Sequence, residues 1–266
     1  MLKSVIPKRA QAYLDASIKA AAFIKANLYD ESEKTLKRVY LDGPGDTDGF
    51  SDDYAFLISG LIDLYHATFD QQYIAWADTL QQTQIKLFWD DHAGGFFRTP
   101  ATSNLILRLK DDGDSAEPSA NSVSTRNLLR LGSLLGDRSY DEKAAETCGA
   151  FADELNDQPW QFPGMLTGLI GVLDGMKEIV IVGKRGAETT SRFMEAVRSR
   201  MLVNAVVIHV DPEERADWLV GRNTILNQVL RLASDGEIPF VTICEGYTCG
   251  LPIRKVEDLD RALGVE

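Results

Sequence analysis

The apolar positions of the first two-thirds of the chain recur at intervals of three and four, the spacing that gathers side chains on one face of an α-helix. Leu61, Ile62 and Leu64 form one such stripe, and Leu128, Leu129 and Leu131 repeat it at an offset of 67 residues. The same offset carries Asp70, Tyr73 and Ala77 onto Asp137, Tyr140 and Ala144. Each unit therefore reads as a helix, a short turn containing Asp, and a second helix anchored by Tyr. The Asp is a natural cap, accepting hydrogen bonds from the free amides of the second helix. Residues 10–28 have the pattern of a second helix with no first helix ahead of it, and residues 160–176 that of the first helix of a third pair. Long connections follow the second helices. Within them KRVYL (37–41), GGFFRT (94–99) and LILRL (105–109) read as short strands, the last two as a hairpin.

The pattern changes at residue 178. EIVIVG (178–183), AVVIHV (205–210) and PFVTIC (239–244) are apolar, β-branched runs that predict strands. Helices are expected at 187–202, 222–233 and 256–263. Strands alternating with helices predict a small parallel sheet. The chain is thus expected to be mainly α, with helical hairpins over 1–177 and a small α/β unit with parallel strands over 178–266. The turn Gly183-Lys-Arg-Gly186 lacks the spacing of a phosphate loop.

Composition narrows the chemistry. With 44% apolar and 26% charged residues, the 266-residue chain can bury a large core and is not disordered. Forty acidic against 28 basic residues give a net charge of −12, a surface that repels phosphate backbones, so no nucleic-acid partner is expected. No apolar run approaches the roughly 18–20 residues of a membrane span, and none is expected. Lys3, Lys8 and Arg9 near the start come without the apolar stretch of a secretory leader, which makes a cytoplasmic location the expectation. The three His (66, 92, 209) show no metal-ligand spacing, and neither metal nor cofactor is expected. Only His92, in a connection, invites a functional reading. Cys244 and Cys249 are spaced unlike a CxxC redox motif; two reduced, partly buried thiols are the expectation, a disulfide across the turn the alternative.

Candidate chemistry comes from topology. Hairpins with short turns at one end place their long connections at the other. Two first helices begin just after such connections, near Ser51 and near Ser119, so both starts should share one rim. That brings together Asp52, Asp53, Asp111, Asp112, Asp114 and Glu117. Crowded or buried carboxylates can have pKa values pushed apart, one holding a proton while its neighbour stays ionised, as acid–base catalysis on sugars requires. The competing reading is that acidic residues cap helices and favour the dipole at their N-termini. Phe50, Tyr54, Trp89, Phe96, Phe97, Trp160 and Phe162 make the same rim aromatic, and aromatic faces pack on sugar rings. Asp53, Asp112 and Glu117 are the catalytic candidates; Tyr54, Trp89, Phe97 and Asn121 are the ligand-binding ones.

GFSDDYAFLISGLIDLYHATFD, TQIKLFWDDHAGGFF, LRLKDDGDSAEPSANSVSTRNLLRL and VTICEGYTCGLPI resemble the spermatogenesis-associated protein 20 (YyaL-like) family from about residue 10 onward. The resemblance implies a partial (α/α)6 toroid, similar to sugar epimerases and six-hairpin glycosidases, here only the C-terminal part without the family's thioredoxin-like domain. Asp53 and Tyr54 stand in the GF-x-x-DYAF motif; Asp112, Glu117, Pro118, Asn121 and Ser122 stand in D-x-D-x-AEPS-x-NS. Epimerase-like proton transfer or glycoside hydrolysis on a sugar or other small polar ligand is the leading expectation. The alternative is a noncatalytic helical module that docks a thioredoxin-like domain or another chain.

Overall fold

A computed structural model describes residues 7–101, 105–111, 113–214, 217–234, 238–246 and 248–264. Its contacts divide the chain into two compact units: a helical one of Tyr13–Gly132 and Arg138–Asp174, and one that gathers Gly175–Glu266 with Ser133–Asp137 and the start of the first helix. The division falls three residues ahead of the expected boundary at 177/178, at Gly175, which adopts φ 78.

α1 (Pro7–Asn27) belongs to the helical unit from Tyr13 onward and is followed by a two-residue ladder of β1 (Tyr29–Asp30) with β2 (Thr35–Leu36). The predicted strand KRVYL is corrected. Lys37 and Tyr40 make only single bridges, to Asp48 and Pro44, and Pro44 has no N–H with which to extend the second. The first hairpin is α2 (Ser51–Thr68) with α3 (Gln71–Phe88); the second is α4 (Ala120–Leu135) with α5 (Arg138–Ala150). The 67-residue repeat is therefore a repeat of structure. It extends to the turns: Phe69 (φ 54) and Gly136 (φ 65) stand at equivalent positions, both left-handed, where the chain leaves one helix for the next. Asp70 caps α3, accepting from Gln72 N at 3.0 Å. Then come α6 (Ala152–Asp157), a 3-10 turn (Pro159–Gln161) and α7 (Pro163–Asp174), the last on the segment read as a third first helix. Cys148, Phe151, Leu155, Phe162 and Met165 pack together there.

The strand pair predicted at 94–99 and 105–109 does not form a ladder among the described residues. One backbone bond, Arg98 N to Leu109 O (2.8 Å), joins the two segments. Side chains hold the connection instead: Arg108 donates to the carbonyls of Thr99 (2.9 Å) and Leu87 (2.9 Å), and Lys110 to that of Gly94 (2.5 Å).

The second unit runs β3 (Lys177–Val182), α8 (Glu188–Arg198), β4 (Ala205–Val210), α9 (Asp217–Arg222), α10 (Ile225–Ser234), β5 (Phe240–Glu245), β6 (Thr248–Cys249) and α11 (Val256–Ala262). Its sheet has the order β4-β3-β5-β6. β3 and β4 are parallel, Lys177 opposite Ala205 and Val182 opposite Val210. β5 corrects the expected parallel sheet: it runs antiparallel to β3, Phe240 opposite Val182. An apolar run shows that a strand is buried, not which way it runs. Ile179, Ile181 and Val241 pack with Phe193, Val197 and Leu259 of the helices. His209 is buried in β4 with its Nε2 2.9 Å from the Gly183 carbonyl, the structural position expected of it. Cys244 and Cys249 face each other across β5 and β6 and are joined as a disulfide, where two reduced thiols were expected.

Candidate functional site

The starts of α2 and α4 lie at the same end of the helical unit, and one side chain ties them. Gln84, fully buried near the end of α3, donates to the Ser51 carbonyl (3.0 Å) and to the Ser124 hydroxyl (2.9 Å). The two first helices then advance side by side in the same direction. Asn127 Nδ2 donates to the Ala55 carbonyl (2.8 Å), and further along Arg130 meets Asp63 (2.5 Å) at repeat-equivalent positions. Between the second helices, Tyr140 donates to buried Asp78 (2.5 Å). The shared rim expected from the loop lengths is thus present for the two helix starts.

At the start of α2, Asp52 and Asp53 meet Arg38. Its guanidinium bonds both oxygens of Asp52 (2.8 and 3.1 Å) and one of Asp53 (2.6 Å), and lies 4.7 Å from the Phe50 ring. Asp53 also accepts from the Phe50 amide (2.8 Å), an orphan donor at the helix start. Ser51, expected as the cap, is instead the first helical residue, and Asp53 reaching back supplies the bond. The two carboxyls are driven apart. Burial pushes Asp52 upward, but the Arg38 bond and charge outweigh it and hold Asp52 below the usual range. For Asp53, burial and the neighbouring Asp52 charge prevail over the Phe50 amide and Arg38, and its pKa rises.

Of the ligand-binding candidates, three are spent on packing. Tyr54 is buried; its hydroxyl accepts from Leu36 N (2.9 Å), and burial pushes its pKa up to about 12. Trp89 is buried edge-on against Phe96 (5.0 Å), with the Lys143 ammonium 4.1 Å from its ring. Asn121 is buried and pairs completely with one backbone unit, accepting from Phe96 N (2.7 Å) and donating to Phe96 O (3.0 Å). It is a brace between α4 and the connection rather than a free hydrogen-bonding arm. Phe97 is half-buried with Arg108 (4.1 Å) and Lys110 (5.3 Å) at its ring, and Lys110 pairs with Asp90 (2.8 Å).

The connection before α4 is organised by Asp114. One oxygen accepts from Ser119 N (2.7 Å), the other from Gly164 N (2.7 Å), so a single carboxylate serves the starts of both α4 and α7. Ser119 is the expected cap, its hydroxyl accepting from Ser122 N (3.1 Å). Glu117 is exposed in the turn closed by Ser115 N to Glu117 O. Asp112 lies outside the described residues. Next to this turn Trp160 is 72% exposed, and the carbonyl of its neighbour Gln161 accepts from Asp114 N (2.8 Å). His92 is exposed, its amide bonded to Asp90. Among the described residues no three His, Cys, Asp or Glu are grouped to hold a metal ion, and no helix is long and apolar enough to cross a membrane.

Sequence reasoning missed Arg38 and Gln84. Nothing local marks either, since their partners are 14 and 40 residues away. It also read Tyr54 and Asn121 as open when the spacing carried a contrary signal. Tyr54 precedes Ile58 and Leu61 by four and seven, and Asn121 precedes Leu128 by seven, so both lie on the buried stripe.

No family model matches the chain. It is 37% identical to spermatogenesis-associated protein 20 of Homo sapiens and to that of Rattus norvegicus, each over 253 residues covering 91% of this chain and 32% of the relative. A Caenorhabditis elegans protein of uncharacterised function is 30% identical over 255 residues, 93% of this chain and 34% of the relative. The chain spans about a third of the length of the curated relatives it matches. Among solved structures, the unsaturated glucuronyl hydrolase of Bacillus sp. GL1, responsible for the degradation of glycosaminoglycan, aligns with a TM-score of 0.46 at 13% identity, over 73% of this chain and 56% of that one.

Proposed function

We infer, for a chain that belongs to the spermatogenesis-associated protein 20 family over its matched length, that its helical unit is an arc of an α/α toroid whose rim binds a sugar or another small polar ligand. The reaction is the acid–base type of sugar epimerases or glycosidases, with Asp53, Asp112 and Glu117 as its carboxylates. The observation that carries this reading is the meeting of the α2 and α4 starts through Gln84, which gives the carboxylates of two connections a common end. The opposite displacement of Asp52 and Asp53 supports it, since such chemistry works through neighbouring carboxyls whose hold on a proton differs. Phe97 and exposed Trp160 offer ring faces, while Tyr54, Trp89 and Asn121 hold the wall behind them. A library of neutral and acidic mono- and oligosaccharides, read by Trp fluorescence and by calorimetry, tests this. Saturable binding weakened tenfold or more in Glu117→Gln and Asp53→Asn is expected. No binding by the chain, or binding untouched by both substitutions, refutes it.

A second reading, a noncatalytic docking module, is favoured by exposed apolar side chains. Tyr13 and Phe23 of α1 and the run Leu105, Ile106 and Leu107 face solvent. A thioredoxin-like domain is the partner to try. Co-sedimentation abolished by Phe23→Glu would support this reading, and independent sedimentation would remove it.

A further inference from the structure

We propose that the Cys244–Cys249 disulfide is a reversible thiol–disulfide exchange site, opened by an external dithiol at the sulfur of Cys249. The two cysteines are direct register partners across the β5–β6 pair, five residues apart in sequence. β6 is the last strand in the sheet order, so Cys249 stands at the sheet edge. Cys244 is fully buried and Cys249 partly exposed, so an attacking thiolate reaches the bond from the Cys249 side.

Other bonds close the hairpin beside the disulfide. Gly250 N donates to Ile243 O (2.9 Å), and Thr242 Oγ1 donates to Gly250 O (2.9 Å). Val241 and Ile253 exchange both backbone bonds, at 2.9 and 2.7 Å. Cys244 is buried, but neither cysteine belongs to the cluster that packs Ile179, Ile181 and Val241 on Phe193, Val197 and Leu259. A cross-link over so short a loop also removes less entropy from the unfolded chain than one over a long loop, because stabilisation by a disulfide grows with loop length. An edge bond with one partly exposed cysteine, in a hairpin that backbone and side-chain bonds also close, fits repeated opening better than permanent stapling.

In the step itself a dithiol's thiolate attacks Cys249 Sγ, forming a mixed disulfide and releasing Cys244 as the leaving thiolate, which takes up a proton. The second thiol of the reductant then attacks its own sulfur of the mixed disulfide and releases Cys249. The protein gains two electrons and two protons, and the reductant leaves as its disulfide. Cys148 is an internal control: it is buried in the other unit, and burial pushes its thiol up to about 11, away from the thiolate form.

The experiment uses the full chain, oxidised in air, equilibrated over a series of reduced to oxidised dithiothreitol ratios, alkylated without denaturant and mapped by peptide mass. Cys249 should pass from unalkylated to alkylated as the ratio rises, with the buried Cys244 and Cys148 labelled only when the same samples are acid-quenched, unfolded and alkylated again. Far-ultraviolet circular dichroism should be the same in both forms. Reduced glutathione should leave its adduct on Cys249, not on Cys244. Three results would overturn the proposal: alkylation of Cys249 in the air-oxidised chain, a bond that yields to reductant only after unfolding, or a glutathione adduct on Cys244. A Cys244→Ser, Cys249→Ser chain that keeps its circular dichroism spectrum would support the structural independence argued above, and one that fails to fold would refute it.

Discussion

Replacing Gln84 by Met removes the amide that joins the two helix starts while nearly keeping its length and volume. The cavity contribution is then small, and the loss is polar. Gln84 makes bonds to Ser51 O and Ser124 Oγ as donor and accepts one from Gln81 Nε2 (2.9 Å), all among buried side chains. The Ser51 carbonyl keeps its bond within the helix and the Ser124 hydroxyl can turn to a helical neighbour, so those two losses come to about 0.5 kcal/mol each. The Gln81 amide has no such recourse and is stranded in the interior, at about 2 kcal/mol. The total is about 3 kcal/mol, which at ordinary urea slopes lowers the midpoint by about 1 M. Gln81 makes the test sharper, because its Oε1 already lacks a partner. Converting it to Met as well removes the stranded donor, and the double variant should recover about 1–2 kcal/mol relative to Gln84→Met alone. Urea unfolding followed at 222 nm measures all three chains. A single variant within 1 kcal/mol of the parent, or a double variant no more stable than the single, would refute the account of Gln84 as a satisfied buried junction.

Asn121→Ala should cost about 2–3 kcal/mol, because buried Phe96 N loses its acceptor, and thermal unfolding reads it; a loss under 1 kcal/mol would mean that the brace is idle. Asp114→Ala withdraws the acceptor from Ser119 N and Gly164 N together and should expose the 110–118 connection to limited proteolysis; an unchanged cleavage pattern would argue against its bridging role. Arg38→Gln should raise the pKa of Asp52, followed by carboxyl carbon NMR, and an unmoved titration would contradict the pairing. The sign follows from linkage. The folded pKa of Asp52 lies below its free value of 3.8, so its contribution is present above that value and lost as pH falls through the folded one. Asp53, shifted upward, acts oppositely, costing stability as pH rises from 3.8 through its folded value. Removing Arg38 should therefore weaken the first effect and enlarge the second.

The helical hairpins were legible because a repeat writes the same burial pattern twice: Leu61 and Leu128 are both buried, and the left-handed turn positions coincide. The starts at Ser51 and Ser119 were legible within a residue because loop length and capping chemistry are local. The direction of β5 was not, since Phe240–Glu245 is equally apolar whichever way it runs. The candidate site divided along the same line. Acidic residues at helix starts could be read from spacing, but their neutralisation by Arg38 arises only when the Lys37–Asp48 and Tyr40–Pro44 bridges fold the intervening chain back. The bracing by Asn121 was half legible. Its heptad relation to Leu128 marks it as inward-facing, and its polarity drew the reading outward.

The Asp114 clasp bears on timing. A surface connection of this kind ordinarily rearranges in nanoseconds to microseconds. Here, moving Glu117 away from α4 means releasing two charge-assisted bonds at once, one of them to the first turn of α7. The turn and α7 then shift together or not at all. Anything that grips Glu117 is felt at Gly164, and a substitution at Gly164, where an added Cβ would meet Asp114 Oδ2 at 3.0 Å, is felt at the rim. The rim is in this respect geared to the next helix through that joint.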